Sequence, residues 1–422
     1  MGHFSLMIRY GQEKKMISIG IDTHERMHYV EVQNERQQVM WHGSISNNRE
    51  GFCNLIEKIH SICESNSQGV VGIFMNPTGN YHIPLKYFLE AKGNRVFLID
   101  ARKTFHLRQI MNLGTEKSDR EDAHILAATP WVDRNAADRA NHSRSSLSEI
   151  TRLREIVNRN ITRIANFINS DLAAVFPEFC DLISIESKTG LTILEKYTLP
   201  SEISKLSPSD LVGAARESGN YKFSKEDAVR LIRTSSESIG IPDPDNAYAF
   251  RIRINAMRLR SEIDYLKETE KKIEEIGLGD TDIRNISDMR GMSVVAAARI
   301  VSEVGSIDQF DSVLKLQSYA GSCPDMTGSG GKSYARGLTR VRNEYLANAV
   351  HESSIKLVRY QNREFLNLYL REIKKGKKPT QAYVVVGKRL LFHVFSIMKN
   401  RKPYRERMTR EGERSVSGGT LE

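Results

Sequence analysis

Glu116-Lys117-Ser118-Asp119-Arg120-Glu121-Asp122-Ala123 places two carboxylates three residues apart. On a helix, that spacing projects Asp119 and Asp122 from one face about one turn apart. Like charges so close repel, and a bound Mg²⁺ or Mn²⁺ offsets the repulsion: a hard ion takes oxygen ligands and keeps positions open for phosphate and water. The other reading is a solvated acidic first turn that complements the helix dipole. A third acid favours the metal: the apolar run Met16-Ile-Ser-Ile-Gly-Ile-Asp22 ends a short strand in a carboxylate. A two-metal phosphoryl-transfer site needs several oxygens around ions about 4 Å apart, one ion activating the nucleophile and the other stabilising the leaving oxygen. A second candidate is Ser329, flanked by Gly328 and Gly330 in a stretch that also holds Lys332, Arg336, Arg340 and Arg342. Small neighbours let a serine approach a phosphodiester and attack it, although the same residues also describe a flexible loop.

The elements that must position these groups follow in chain order. After the first strand, His28–Gln33 and Gln38–Ser44 read as two further strands, antiparallel to it. An amphipathic helix carries Phe52, Leu55, Ile56, Ile59 and Ile62 on one face, and Val70–Met75 suits a central strand. Then come a helix from about Thr78 to Ala91 closed by Gly93, a strand Arg95–Ile99, and the helical segment with Asp119 and Asp122. Three strands followed by alternating helix and strand is the order of a ribonuclease H-like α/β fold, in which the first strand's Asp, the end of the fourth strand and a late helix converge. The fourth-strand end reads Met75-Asn76-Pro77-Thr78-Gly79-Asn80-Tyr81.

Downstream, Ile150, Leu153, Val157, Ile161, Ile164, Ile168 and Leu172 recur at steps of three and four, with Arg152, Arg154, Arg159 and Arg163 between them. Ile252, Leu259, Leu266 and Ile273 recur every seven residues, with Ala256 and Ile263 in the alternate seam. Both stretches read as long helices that form an antiparallel hairpin or a coiled coil with a second protomer. The arginines of the first helix serve either helix packing or a nucleic-acid backbone. Between the two helices, turn signals around short helical stretches mark an inserted helical subdomain with no legible chemistry. Met289–Gly305 resembles a helix-hairpin-helix element, whose glycine turn presents backbone N–H groups to a phosphate.

The chain has 422 residues, 40% hydrophobic and 27% charged, ordinary for globular domains with real cores. No apolar run reaches the roughly 18 residues of a membrane span and the start lacks a signal peptide's pattern, so the expected setting is the cytoplasm, with no membrane partner. Cys53, Cys63, Cys180 and Cys323 lack zinc spacing and read as free thiols. The net charge is +10, and all of it lies between Arg371 and Arg414, where 14 Lys/Arg face 4 Asp/Glu. Such a block, with Lys377 and Lys378 inside it, suits a phosphate backbone.

Gly20-Ile21-Asp22, Pro77-Thr78-Gly79-x-Tyr81 and Lys117-Ser118-Asp119-x-x-Asp122-Ala123 together resemble the DEDD transposases of the insertion-sequence one-ten family, which include the pilin-gene invertases and the bridge-RNA-guided recombinases. The resemblance covers roughly residues 15 to 130 and 280 to 405. It implies a RuvC-like (ribonuclease H-like) catalytic domain over 15–135 after an arm at 1–14. A helical, coiled-coil region follows over 136–278, then a mainly helical transposase domain over 279–405 and a basic, disordered tail at 406–422. It implies Mg²⁺ (or Mn²⁺) held by Asp22, Asn76, Asp119 and Asp122, with Ser329, after Pro324, as the nucleophile. Arg152, Arg154, Arg159, Arg163, Lys332, Arg336, Arg340, Arg342, Lys377 and Lys378 would hold nucleic acid.

It further implies donor and target DNA read through a structured non-coding bridge RNA, and a dimer or tetramer in which serine and carboxylates come from different protomers. Gly376-Lys377-Lys378-Pro379 before Ala382–Leu391 matches the family's closing helix. Two departures stand out: Asn76 replaces the family's Glu, and the downstream Gly-Asn and Leu-Arg pattern reads Arg342-Asn343 and Leu346-Ala347. An Asn carbonyl can ligate a metal but brings no charge, so Asp100 is a candidate to compensate. The rival readings are a Holliday-junction-type nuclease with water as nucleophile, and a nucleic-acid-binding relic.

Overall fold

The structure is a computed structural model that describes residues 16–66, 69–99, 101–111, 118–132, 146–217, 219–329, 332–338 and 342–404, with 324–329 and 332–338 described by backbone alone. The arm at 1–14, Asp100, Lys117, Arg340 and the tail at 406–422 lie outside the described residues. The chain divides into two compact units, residues 1–143 and 144–422.

The first unit is built on a five-stranded sheet of order β3-β2-β1-β4-β5. β1 (Met16–Asp22), β2 (Met27–Asn34) and β3 (Val39–Ser46) form an antiparallel meander. α1 (Arg49–Asn66) then crosses to β4 (Gly69–Met75), which pairs parallel to β1, and α2 (His82–Ala91) leads to β5 (Val96–Leu98), parallel to β4. β1 is buried on both faces and reads as a continuous apolar run, as a central strand with parallel pairing must. Phe52, Leu55 and Ile59 of α1 bury against Ile17, Ile19, Val30 and Ile73. This mixed sheet with its helices is compatible with a ribonuclease H-like domain. The helix expected from Thr78 starts at His82 instead, because Gly79 sits at φ +51 and breaks the approach to it. α3 (Ala101–Ile110) and α4 (Asp119–Val132) complete the unit.

In the second unit α5 (Ser146–Val175) and a later long helix frame an insertion of short helices: α6 (Phe179–Leu182), α7 (Lys188–Lys196), α8 (Pro200–Ile203), α9 (Pro208–Glu217) and α10 (Lys225–Ser236). α11 (Ala247–Gly277) returns along α5. The pairs Arg154–Glu270 at 2.9 Å, Asn160–Glu262 at 3.1 Å and Asp171–Arg251 at 3.0 Å run in opposite order along the two helices, so they form an antiparallel hairpin within one chain. Ile252, Ala256, Leu259 and Ile273 are fully buried as their spacing predicts, whereas Leu153 is 49% exposed.

α12 (Thr281–Ser287) and α13 (Val294–Val304) flank Gly291, whose φ is +93 and whose Cβ, if present, would press on the Lys356 carbonyl and on Tyr360. This glycine turn between helices is thus packed on its inner side. α14 (Val313–Tyr319) precedes a hairpin of β6 (Pro324–Ser329) and β7 (Lys332–Leu338), followed by α15 (Glu344–Arg359), α16 (Arg363–Lys374) and the closing α17 (Pro379–Asn400). Among the described residues no helix is long and apolar enough to cross a membrane.

Candidate active site

Asp22 is the last residue of β1 and is 2% exposed. Because Ile21 pairs with Met75 in parallel register, the residues just beyond each strand, Thr23 and Asn76, meet. The Thr23 backbone N–H donates to Asn76 Oδ1 at 2.9 Å, and the Thr23 hydroxyl donates to the Asn76 carbonyl at 2.9 Å. The Asn76 amide NH₂ donates to Asp22 Oδ1. The other Asp22 oxygen lies 2.9 Å from His24 Nε2, which in turn lies 3.3 Å from Asp119 Oδ1.

Asp119 arrives through a capped helix start. Ser118 Oγ accepts from the Glu121 N–H at 3.2 Å, and the Ser118 carbonyl accepts from the Asp122 N–H at 3.0 Å, so α4 begins at Asp119. Gly20 lets α4 lie directly on β1: a Cβ there would stand 2.1 Å from the Ala123 carbonyl and 2.3 Å from the Ala127 nitrogen. A second tie is the buried carboxylate of Glu31 on β2, which accepts from Gln33 at 2.8 Å and lies 2.7 Å from His124 Nδ1 on α4. These contacts fix where the first turn of α4 falls relative to the end of β1.

Asp122 has a different partner. Its Oδ1 accepts from Arg108 of α3 at 2.6 Å, and the same guanidinium reaches Glu121 at 2.8 Å. Of the four expected ligands, Asp22 and Asp119 therefore converge, Asp122 is held by Arg108, and Asn76 turns its amide oxygen to Thr23. Burial raises the pKa of Asp22, and the charge of Asp122 adds to this against the opposing contacts of His24 and Asn76. For His24, burial favours the neutral ring, but the hydrogen bond and charge of Asp22 and the charge of Asp119 outweigh it, and its pKa is raised. One atom from each of Asp22, His24 and Asp119 lies within 4.8 Å of the other two. Two carboxylates and an imidazole this close, one carboxylate buried, are a donor set that fits a divalent cation.

His24 and Arg108 have no counterpart in the motifs read from the sequence. The acid-x-His spacing at the end of β1 is the one local signal for His24. Arg108 announces nothing, since its role exists only through the packing of α3 on α4.

The expected nucleic-acid contacts fare unevenly. Arg152 is held by both oxygens of Glu303 at 2.6 and 2.8 Å and stacks 4.5 Å over Tyr345. Arg154 is 9% exposed and pairs with Glu270 of α11. Arg159 and Arg163 face solvent on α5. Arg342 lines a cleft with Asn348, His351 and Tyr383, Lys377 pairs with Glu372, and Lys378 is exposed at the start of α17. Ser329 closes β6, where its backbone pairs with Lys332 of β7, and Arg336 lies further along β7. Asn343 takes a structural part: its Oδ1 caps α15 at the Leu346 N–H, 3.0 Å away, while its Nδ2 donates to Glu303 and the Tyr319 hydroxyl at 2.8 and 2.9 Å.

A mixed five-stranded sheet compatible with a ribonuclease H-like domain, with acids meeting at the end of its first strand, is compatible with an enzyme that acts on nucleic-acid phosphodiesters. Comparison with known families narrows this. Residues 19–177 match the model of the DEDD transposases of IS110 type, and residues 283–370 match that of the transposases of the IS116/IS110/IS902 family, together more than half of the chain. The chain belongs to the IS110 family of DEDD transposases, and is a transposase of mobile elements acting on DNA. Among curated proteins none matches it.

Proposed function

We propose that this transposase cuts and rejoins DNA by transesterification at Ser329, with a divalent cation, Mg²⁺ or Mn²⁺, held at Asp22 and Asp119 and with Asp122 and Asn76 alongside. The observation that carries the reading is the meeting of Asp22, from the end of β1, with Asp119, from the start of α4, through His24. In the first step the seryl oxygen forms a bond to phosphorus while the bond from phosphorus to one deoxyribose oxygen breaks. The serine loses its proton and the departing oxygen gains one. Bound there, the cation supplies charge stabilisation for the pentacoordinate phosphate. Asn76 keeps Asp22 oriented through its amide NH₂, and Arg108 holds the Asp122 carboxylate in place. Covalent storage of the bond lets strands rejoin without ATP. Arg159, Arg163, Lys378 and the basic stretch beyond Arg371 supply the charge that DNA and a structured bridge RNA require. Base pairing with that RNA then sets the site, and the protein works as a dimer or tetramer.

Trapping the protein on DNA tests the serine. A covalent adduct with the wild type that is absent with Ser329→Ala supports transesterification. Free cut ends undiminished in Ser329→Ala point to a nuclease that uses water. The uncharged Asn76 favours a second reading, a site weakened or silenced. A gain of strand transfer in Asn76→Glu marks a weakened enzyme, whereas RNA binding without turnover for either residue marks a relic.

A further inference from the structure

Asn76 and His24 together bear on which cation the site takes. Thr23 is fully buried, so its backbone N–H must find an acceptor inside the protein, and the Asn76 amide oxygen is that acceptor at 2.9 Å. The Thr23 hydroxyl lies 3.1 Å from the same oxygen. With the oxygen so engaged, the amide nitrogen is the end that faces Asp22. A neutral NH₂ is a donor and ligates no cation. The position that would ordinarily bring a third negative charge therefore contributes only a hydrogen bond.

His24 enters the same space from the other side. Its Nε2 lies 2.9 Å from Asp22 Oδ2 and 3.3 Å from Asp119 Oδ1. Its backbone is held as well: the His24 N–H donates at 3.2 Å to Nδ1 of His28, a fully buried ring on β2. The ring that reaches the two carboxylates thus hangs from a fixed point next to the strand end.

We propose that His24 is a metal ligand, completing with Asp22 and Asp119 a set of two carboxylates and one imidazole that takes a first-row divalent ion, for which Mn²⁺ is the probe, in preference to Mg²⁺. Mg²⁺ is served by oxygen and gains little from imidazole, whereas first-row ions bind nitrogen and tolerate a mixed shell. The inference rests on the carboxylate site proposed above and names its cation. The competing account gives His24 a different part, a positive counter-charge between two acids that a cation would displace.

The full-length protein, stripped with a chelator, is titrated with MnCl₂ while the signal of free Mn²⁺ is followed by electron paramagnetic resonance. Pulsed measurements on the bound ion then look for coupling to ¹⁴N. The inference predicts bound Mn²⁺ with nitrogen coupling in the wild type. It predicts that His24→Gln loses the coupling, binds Mn²⁺ at least about tenfold more weakly, and loses less affinity for Mg²⁺ measured by competition. The wild-type spectrum alone reports the His24 contact, so poor folding of the variant does not blunt that part of the test, and Mg²⁺ displacing Mn²⁺ from the wild type at equal concentration overturns the preference. Bound Mn²⁺ without nitrogen coupling overturns the role of His24 and leaves the carboxylate site standing. No bound Mn²⁺ in the wild type overturns both.

Discussion

Gly20→Ala is the smallest change that separates α4 from β1. The added Cβ meets the Ala123 carbonyl at 2.1 Å, the Ala127 nitrogen at 2.3 Å and the Leu126 carbonyl carbon at 2.9 Å, all backbone atoms that no rotamer can move. Ordinary contact begins near 3.4 Å, so the helix must retreat by about 1 Å along its middle. Overpacking of this kind costs about 3 kcal/mol, and for a unit of this size that lowers the melting temperature by roughly 10 °C. The retreat also carries Asp119 away from His24 and Asp22, so the proposed divalent-ion binding is expected to weaken together with stability. The comparison is Gly213→Ala, in the interior of α9 with nothing within 4 Å of a new Cβ. There the same substitution raises stability by about 0.5 to 1 kcal/mol, because the unfolded chain loses freedom. Calorimetry of the three proteins decides. If Gly20→Ala melts within about 2 °C of the wild type, the close seat of α4 on β1 is wrong, and with it the account of how Asp119 is placed.

Arg108→Met leaves Asp122 and Glu121 without their shared guanidinium and is expected to cost about 2 kcal/mol, read as a lower unfolding midpoint in urea. Arg299→Met is expected to cost more, about 3 kcal/mol, because the buried guanidinium reaches Glu155 at 2.8 Å and also binds Glu352; a double variant with Glu155→Gln should recover part of that loss. For Glu364, burial opposes ionisation, but hydrogen bonds from His393, Arg389 and Tyr404 prevail and hold its pKa at about 2 rather than 4.5. The unfolded chain then binds the proton more readily than the folded one, so stability of about 2 to 3 kcal/mol is present above about pH 4.5 and drains away as the pH falls toward 2. Urea unfolding from pH 5 to pH 2.5 should show this slope, flattened in Glu364→Gln.

The backbone of the site was legible because it is written locally. An apolar run into Asp22 gives a strand that ends in a carboxylate, and the acidic turn at Asp119 to Asp122 gives the opening of a helix. The glycine of Gly20-Ile21-Asp22 has its cause in packing, since no side chain fits beneath α4. What stayed hidden depends on partners distant in the chain. His24 matters because its ring spans Asp22 and Asp119, and nothing about residue 24 alone announces that. The Asn76 oxygen is drawn away by Thr23, a neighbour only through the β1–β4 register. Arg154 looks like a surface cation until α11 brings Glu270 against it. Leu153 fits the apolar spacing of α5 yet lies 49% exposed, because a partner covering one side of a helix does not reach every residue in a broad stripe. Gly-rich residues around Ser329 read as a loop, whereas the backbone pairs β6 with β7 and sets Ser329 opposite Lys332 at the hairpin's end.

The most direct test of the proposed carboxylate site is joining of labelled donor and target DNA, with the proposed bridge RNA supplied, by the wild type and by Asp22→Asn, each with a divalent cation and with a chelator. Joined product only with the wild type and the cation, while Asp22→Asn still binds DNA and RNA, is the predicted result. Product that survives both the chelator and Asp22→Asn would contradict it.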